Sequence, residues 1–286
     1  MHSPSQRAFA LVGPGRAGTT VALVLAARGF RCVAVAGRAP DAPSTLAVAH
    51  RLGAPAVPVR TAGGRGATPA ELVVVATPDA EIAAAAAMLA PSLAPGTLVL
   101  HLSGACTLAE LDKLRAARPD VAVGSLHPLQ SLPSPEVGVE RLAGSWCAVD
   151  GPEDVEHLAR SLGLRPFRVD EDRRITYHAA ATIASNHLVA LLGQAERIAA
   201  EAGVPPEALL PLVRATLDNV EALGAHGALT GPVARGDGDT VARHLEALPE
   251  RERAAYRALA SEALRLTGRD DPALEALLDA EGELAR

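Results

Sequence analysis

Three polar tips follow apolar runs in the first half of this chain: Thr77-Pro78-Asp79, His101-Leu102-Ser103-Gly104, and Leu126-His127-Pro128-Leu129-Gln130-Ser131. A fourth polar group comes later. His178, Thr182, Ser185 and Asn186 recur at helical steps in a stretch rich in alanine and leucine, so they share one face of a helix. Imidazoles titrate near neutrality and can give or take a proton, while hydroxyls and amides can orient a carbonyl or imine. Each feature also has a plainer reading. Thr77 or Asp79 can cap the helix that follows, Ser103-Gly104 can be a turn, and His127, held extended before Pro128, can bond a nearby carbonyl. The helical stripe can be a solvated face. Taken together at one edge of one sheet, the tips point to a ligand site. His101, His127 and His178 could instead hold a metal. No two of them show helical ligand spacing with a carboxylate nearby, so no metal is expected.

The elements that must position these tips announce themselves at the N-terminus. Ala8-Phe9-Ala10-Leu11-Val12 reads as a strand, and Thr19 onward as a helix. Between them lies Gly13-Pro14-Gly15-Arg16-Ala17-Gly18. In that context a GxGxxG turn predicts a dinucleotide site. The first glycine makes the tight turn, the second admits a pyrophosphate, and the third lets helix and strand pack closely. The helix N-terminus then offers free N–H groups and its positive dipole end to the phosphates. The next strand, Arg31 to Ala36, ends in Gly37-Arg38 with no carboxylate. An arginine there suits the 2′-phosphate of NADP better than the ribose hydroxyls of NAD. Thr77, Pro78 and Ser103 are expected to line the rest of the cofactor site.

Further strands are expected at 56–59, 71–76, 97–102, 121–126, 146–149 and 165–169, with helices at 41–52, 79–89, 108–117 and 153–162. Such alternation implies a parallel sheet covered on both faces, with ligands at the carboxyl ends of the strands. Residues 61–68, rich in glycine, read as a mobile loop. After Asp170 the strand signals stop. Arg173 to Gly203 reads as one long helix, and Pro205-Pro206 start another, running to about Leu223. Residues 228–240 are too rich in Gly and Pro for a helix, and 241–248 and the remainder to about Leu266 are helical again. The expected fold is α/β, a Rossmann-like doubly wound parallel sheet over 1–170, followed by an all-α domain over 171–286.

Composition narrows the class. The chain has 286 residues and a net charge of −6, which argues against a general nucleic-acid binder. No window reads as a membrane span, and the start lacks a long apolar signal core. The three cysteines, Cys32, Cys106 and Cys147, are unclustered and form neither a disulfide framework nor a zinc motif. A reducing cytoplasm is the expected compartment. The helical half is expected to expose an apolar face that a symmetric homodimer would cover.

The order of elements resembles the superfamily of 6-phosphogluconate dehydrogenase, ketopantoate reductase and pyrroline-5-carboxylate reductase. His127-Pro128-Leu129-Gln130-Ser131, the Tyr177-to-Asn186 helix and Ala228-Leu229-Thr230-Gly231-Pro232 more closely resemble a bacterial family with a Rossmann-like NADP-binding domain and a C-terminal domain of unknown function. The resemblance implies an NADP-linked oxidoreductase, often homodimeric, and leaves the substrate open. One position departs from the superfamily. Ketopantoate reductase and the hydroxyacid dehydrogenases carry a catalytic lysine four residues before an asparagine on the interdomain helix. Asn186 matches the asparagine, but Thr182 occupies the lysine position. A threonine cannot act as the ammonium acid. His178, two turns before Asn186, is the expected replacement, and the pyrroline-carboxylate reductases also lack the lysine.

The reading that follows is an NADP-dependent dehydrogenase or reductase of a small oxo-acid or imino-acid. His178 is the expected acid/base, with His127 as second candidate, and Asn186 orients the carbonyl or imine. Ser103, Gln130, Thr182 and Arg235 are expected to bind substrate, Arg235 as a bidentate partner of a carboxylate. The missing lysine leaves open a nucleotide-binding regulatory or partner protein without turnover.

Overall fold

The computed structural model describes residues 7–64 and 68–279. Part of the glycine-rich loop, including Gly66, and the tail beyond Asp279 lie outside the described residues. The chain divides into two compact units, Met1–Ser185 and Asn186–Arg286.

The first unit is built on a seven-stranded sheet: β1 (Ala8–Val12), β2 (Arg31–Ala36), β3 (Leu72–Val75), β4 (Leu98–His101), β5 (Ala122–Pro128), β6 (Trp146–Asp150) and β7 (Arg165–Arg168). The strand order is β2-β1-β3-β4-β5-β6-β7. The chain moves outward from β1 in both directions, which opens a crevice between the carboxyl ends of β1 and β3. The short apolar strands are buried on both faces. Phe9 and Leu11 pack into one hydrophobic cluster, while Ala10 and Val12 pack into the other, on the opposite face. This explains why the strands read as unbroken apolar runs rather than as alternating ones.

Helices α1 (Arg16–Ala27), α2 (Pro43–Arg51), α3 (Ile82–Leu89), α4 (Asp112–Ala117), α5 (Pro135–Leu142) and α6 (Glu153–Ser161) connect the strands. Two expectations need correction. The sheet is not wholly parallel, because β5 and β6 run antiparallel. Between them, α5 folds back against α1, close enough that a Cβ on Gly138 would fall 2.4 Å from the Thr20 hydroxyl. The chain therefore starts β6 beside the end of β5, with Cys147 opposite Pro128, instead of crossing over. Sequence reading passed over α5 entirely. The expected strand at 56–59 is a single bridge from Ala56 to Val35, followed by a 3₁₀ turn at Val59–Thr61.

The expected single helix over 173–203 ends at Glu201 and is not one uniform α-helix. α7 (Arg174–Thr182) gives way to a π-helical turn at Ile183–His187, and α8 (Leu188–Glu201) follows. Wider turns of this kind shift the facing of the residues on either side. Thr182 and Ser185 are half-buried, whereas Asn186 is exposed.

The second unit comprises α8, α9 (Leu209–Ala228), α10 (Pro232–Arg235), α11 (Gly238–Ala247), α12 (Glu250–Thr267) and α13 (Pro272–Asp279). Its core is small, centred on Val241, Leu245, Leu264, Leu274 and Leu278. Gln194 and Arg197 of α8 tie to α12 through the backbone and side chain of Glu252. α9 leaves helical geometry at Gly224, close to the expected end at Leu223. The Gly- and Pro-rich segment does contain a helix. Pro232 starts α10 and Gly236, in left-handed geometry, stops it, the proline-first, glycine-last arrangement that suits one helical turn. No helix among the described residues is long and apolar enough to cross a membrane.

Candidate functional site

Two features meet the carboxyl edge of the sheet within the first unit. The first is the glycine turn after β1. Gly13 has φ +92°, and a Cβ there would lie 2.5 Å from the Ala76 carbonyl carbon, just past β3. On Gly18 a Cβ would meet the Gly13 carbonyl oxygen at 2.4 Å and Ala76 Cβ at 2.7 Å. Both positions therefore exclude any side chain, one by conformation and one by helix–strand contact. Gly15 faces open space instead. It is the N-cap of α1, and no side chain caps the helix. The first backbone bond of α1 runs from Thr19 N–H to the Gly15 carbonyl, which leaves the amides of Arg16, Ala17 and Gly18 without helical acceptors. An uncapped, positively polarised helix start beside open space fits a pyrophosphate. A surface groove of about 390 Å³ extends from Pro14, Gly15 and Arg16 to Ser44 and Arg51 of α2.

The second feature is a cluster of polar side chains after β4 and β5. His101, Ser125 and Asp150 face one another across three strands, as register partners on one rung. His101 and Ser125 are fully buried. The Ser103 N–H donates to His101 Nδ1 at 3.2 Å, and the Ser103 carbonyl accepts from Arg174 Nη2 at 3.0 Å. His127 Nδ1 lies 2.7 Å from the Tyr177 hydroxyl. The His127 and His178 rings meet edge to face at 5.8 Å. Gly104 lies between them. A Cβ there would fall 2.6 Å from His178 Nδ1 and 2.7 Å from His127 Nε2, so the imidazoles press against bare backbone.

The electrostatics follow from this packing. Burial, with the nearby Arg174 charge second, holds the His101 pKa down to about 4. Burial also lowers His127 to about 4, helped by the neighbouring His178 and Arg174. Arg174 is wholly buried, and its Nε and Nη1 have no protein partner. Thr77 Oγ1, Ser125 Oγ and His178 Nδ1 are likewise buried without a hydrogen bond. Buried donors and acceptors in this state are costly, so their gathering at one sheet edge suits a space that a polar ligand enters. Among the described residues no three His, Cys, Asp or Glu side chains group as metal ligands would.

The sequence-derived candidates fall out as follows. His127 and His178 come together. Thr77 lies beside the glycine turn, and Pro78 caps the next helix with no side-chain bond, so neither Thr77 nor Asp79 acts as the cap. The Ser103 hydroxyl accepts from the Ala105 and Cys106 N–H groups, which makes this residue the hub of its own turn. Gln130 is exposed and engaged locally, donating to Ser145 Oγ and accepting from the Ser131 N–H. Arg38 is exposed at the end of β2. Thr182, on α7, is half-buried. Asn186, in the π turn, and Arg235, at the end of α10, belong to the second unit and are exposed. Cys32 and Cys147 are buried as expected of strand residues.

Sequence reasoning missed Arg174 and passed over the roles of Tyr177 and Gly104. Tyr177 had a signal, since it falls on the helical repeat with His178. Arg174 had none, because a single arginine opening an alanine-rich helix reads as solvated.

Residues 147–263 match the family model described as Domain of unknown function (DUF2520). No curated protein matches the chain by sequence. Among solved structures, the chain is similar to a provisionally named NADP oxidoreductase from Bacteroides fragilis, with TM-score 0.74 and 22% identity over 91% of this chain and 98% of that one. It is also similar to a reductive aminase from Aspergillus terreus in complex with NADPH and ethyl levulinate, with TM-score 0.62 and 17% identity over 96% and 99%. A pyrroline-5-carboxylate reductase from Coxiella burnetii follows, with TM-score 0.57 and 16% identity over 92% and 99%. The fold is therefore the Rossmann-like sheet with a helical C-terminal region shared by these reductases, and residues 147–263 are similar to a domain whose function has no assignment.

Proposed function

We propose that the protein is an NADP-dependent oxidoreductase that reduces a small oxo-acid or imino-acid. The observation that carries this reading is the juxtaposition, at one sheet edge, of an uncapped glycine-turn helix with two imidazoles packed around Gly104. The amides of Gly15, Arg16, Ala17 and Gly18 hold the pyrophosphate, and Arg38 pairs with the 2′-phosphate. Thr77, Pro78 and Ser103 line the nicotinamide side. When bound, NADPH supplies a hydride. His178 gives the proton that the developing alkoxide or amine needs, with His127 beside it. The reductive aminase and the pyrroline-carboxylate reductase named above support the substrate class, since their names point to C=N chemistry on this fold.

The test is NADPH turnover against a panel of oxo-acids and cyclic imines. His178→Ala should cut turnover by roughly 10²–10⁴ while leaving NADPH affinity almost unchanged. NADPH binding without turnover on any panel member would favour the regulatory reading, which the threonine at the lysine position supports.

We also propose a homodimer built on the helical unit. α9 spans 20 residues and buries none of them. Leu212 and Leu223 are 65% and 63% exposed, and Leu210, Leu217 and Val220 are exposed with them. A helix this bare is marginal in water unless another surface covers its apolar side chains. Light scattering at micromolar concentration should give twice the 29.3 kDa monomer mass, and a monomer mass would overturn the dimer.

A further inference from the structure

We infer that Tyr177 is a positioning residue that fixes His127 as its Nε2–H tautomer, so that His127 serves as a neutral hydrogen-bond donor to the substrate's C=O or C=N and not as the proton source. The inference deepens the reductase reading above and rests on it for the identity of the acceptor.

The geometry begins with the 2.7 Å contact between the Tyr177 hydroxyl and His127 Nδ1. A phenol is a good donor and a poor acceptor, whereas an unprotonated imidazole nitrogen is a good acceptor. The other side of Tyr177 is apolar, since the Phe167 ring packs edge to face against it at 5.7 Å. Phe167 in turn meets Trp146 at 6.1 Å. The hydroxyl therefore turns toward His127. Burial pushes the Tyr177 pKa up to about 12, which keeps the phenol protonated. With Nδ1 accepting, the His127 proton resides on Nε2. That edge of the ring lies against Gly104, where a Cβ would crowd both Nε2 of His127 and Nδ1 of His178. The two imidazoles thus flank the same stretch of bare backbone, one with a fixed tautomer and one without a protein partner for its Nδ1.

Charge around His127 agrees. Arg174 and His178 face it from α7 and His101 from β4, and all three oppose a second proton. Asp79, after β3, favours it, and burial outweighs Asp79. Arg174 also fixes the turn on which Gly104 lies, through the Ser103 carbonyl. Arg174 and Tyr177, one helical turn apart, therefore hold the Gly104 turn and the His127 ring respectively.

The experiment is long-range ¹⁵N NMR of histidine-labelled, full-length protein without cofactor, from about pH 5.5 to about pH 9. The His127 signals are assigned by their loss in His127→Gln. Wild-type His127 should show the Nε2–H form alone and no titration across that range. Tyr177→Phe should give a mixture of tautomers at His127. An Nδ1–H form in the wild type, or a His127 midpoint above about 6, would overturn the inference. A Tyr177→Phe protein that keeps the pure Nε2–H form would overturn the role of Tyr177, and the wild-type spectrum decides the tautomer even if that variant fails to fold. In turnover, Tyr177→Phe should raise KM several-fold with little change in kcat and leave the pH profile in place. The spectra require no turnover, so an enzyme inactive on every oxo-acid and imine would defeat the reductase reading without touching the tautomer result.

Discussion

The glycine turn after β1 and the imidazole cluster after β4 and β5 occupy the same edge of the same sheet, yet they are made of opposite materials. The turn is backbone. Its shape depends on what Gly13 and Gly18 lack, and what it presents is amides that any sequence possesses once the chain is bent this way. The cluster is side chain. His101, His127, Arg174, Tyr177 and His178 come from two strands and a helix, and each is held by a specific partner or by burial. A backbone site is lost when any side chain is added. A side-chain site is lost when its spacing changes by an ångström. Gly104 belongs to both kinds, being a glycine whose missing side chain makes room for two imidazoles.

This comparison can be broken most directly at the glycines. Gly104→Ala should cost turnover at least about 10²-fold, because its Cβ would displace both imidazoles, while NADPH affinity stays close to wild type. Gly13→Ala should do the reverse and abolish NADPH binding. Its Cβ would strike backbone at 2.5 Å, and its φ of +92° strains any L-residue. Fluorescence titration and steady-state turnover separate the two outcomes. Loss of NADPH binding in Gly104→Ala would show that the two features are a single site.

A smaller effect concerns pH. Burial holds the His101 and His127 pKa values down to about 4 in the folded protein, against the usual imidazole value of about 6.5. Between those values the unfolded chain binds more protons than the native one, so stability is full above about pH 6.5 and is lost as pH falls toward 4. The loss should reach up to about 3 kcal/mol for each histidine. Urea unfolding at pH 7 and pH 5 would measure the part that falls in that range, about 2 kcal/mol for each histidine, and His101→Gln or His127→Gln should flatten the dependence. An unchanged slope in both variants would mean that other groups carry the acid sensitivity.

The smallest expected effect sharpens the backbone side. Arg38→Ala should erase most of the preference for NADPH over NADH, roughly 1.5–3 kcal/mol for one charged hydrogen bond. Equal affinity of the wild type for both cofactors would remove Arg38 from the site.

What the sequence determined by itself was local and periodic. Apolar runs doubly buried in a parallel sheet are written contiguously, so most of the strands and the glycine turn after β1 could be placed from spacing alone. The histidines at the ends of β4 and β5 were legible for the same reason, since a strand end fixes the sheet edge on which its last side chain lies. The direction of β6 was not legible. It depended on α5 folding back against α1, a contact between helices more than a hundred residues apart. Nor was the π turn at Ile183–His187, where apolar periodicity continues while the winding changes. Arg174 belongs to the tertiary structure altogether. Its charge is buried because Ser103, which is 71 residues earlier in the chain, offers it a carbonyl inside the fold. Partners that distant leave no trace in local spacing, so propensity and period located the elements, and packing decided which of their polar side chains meet.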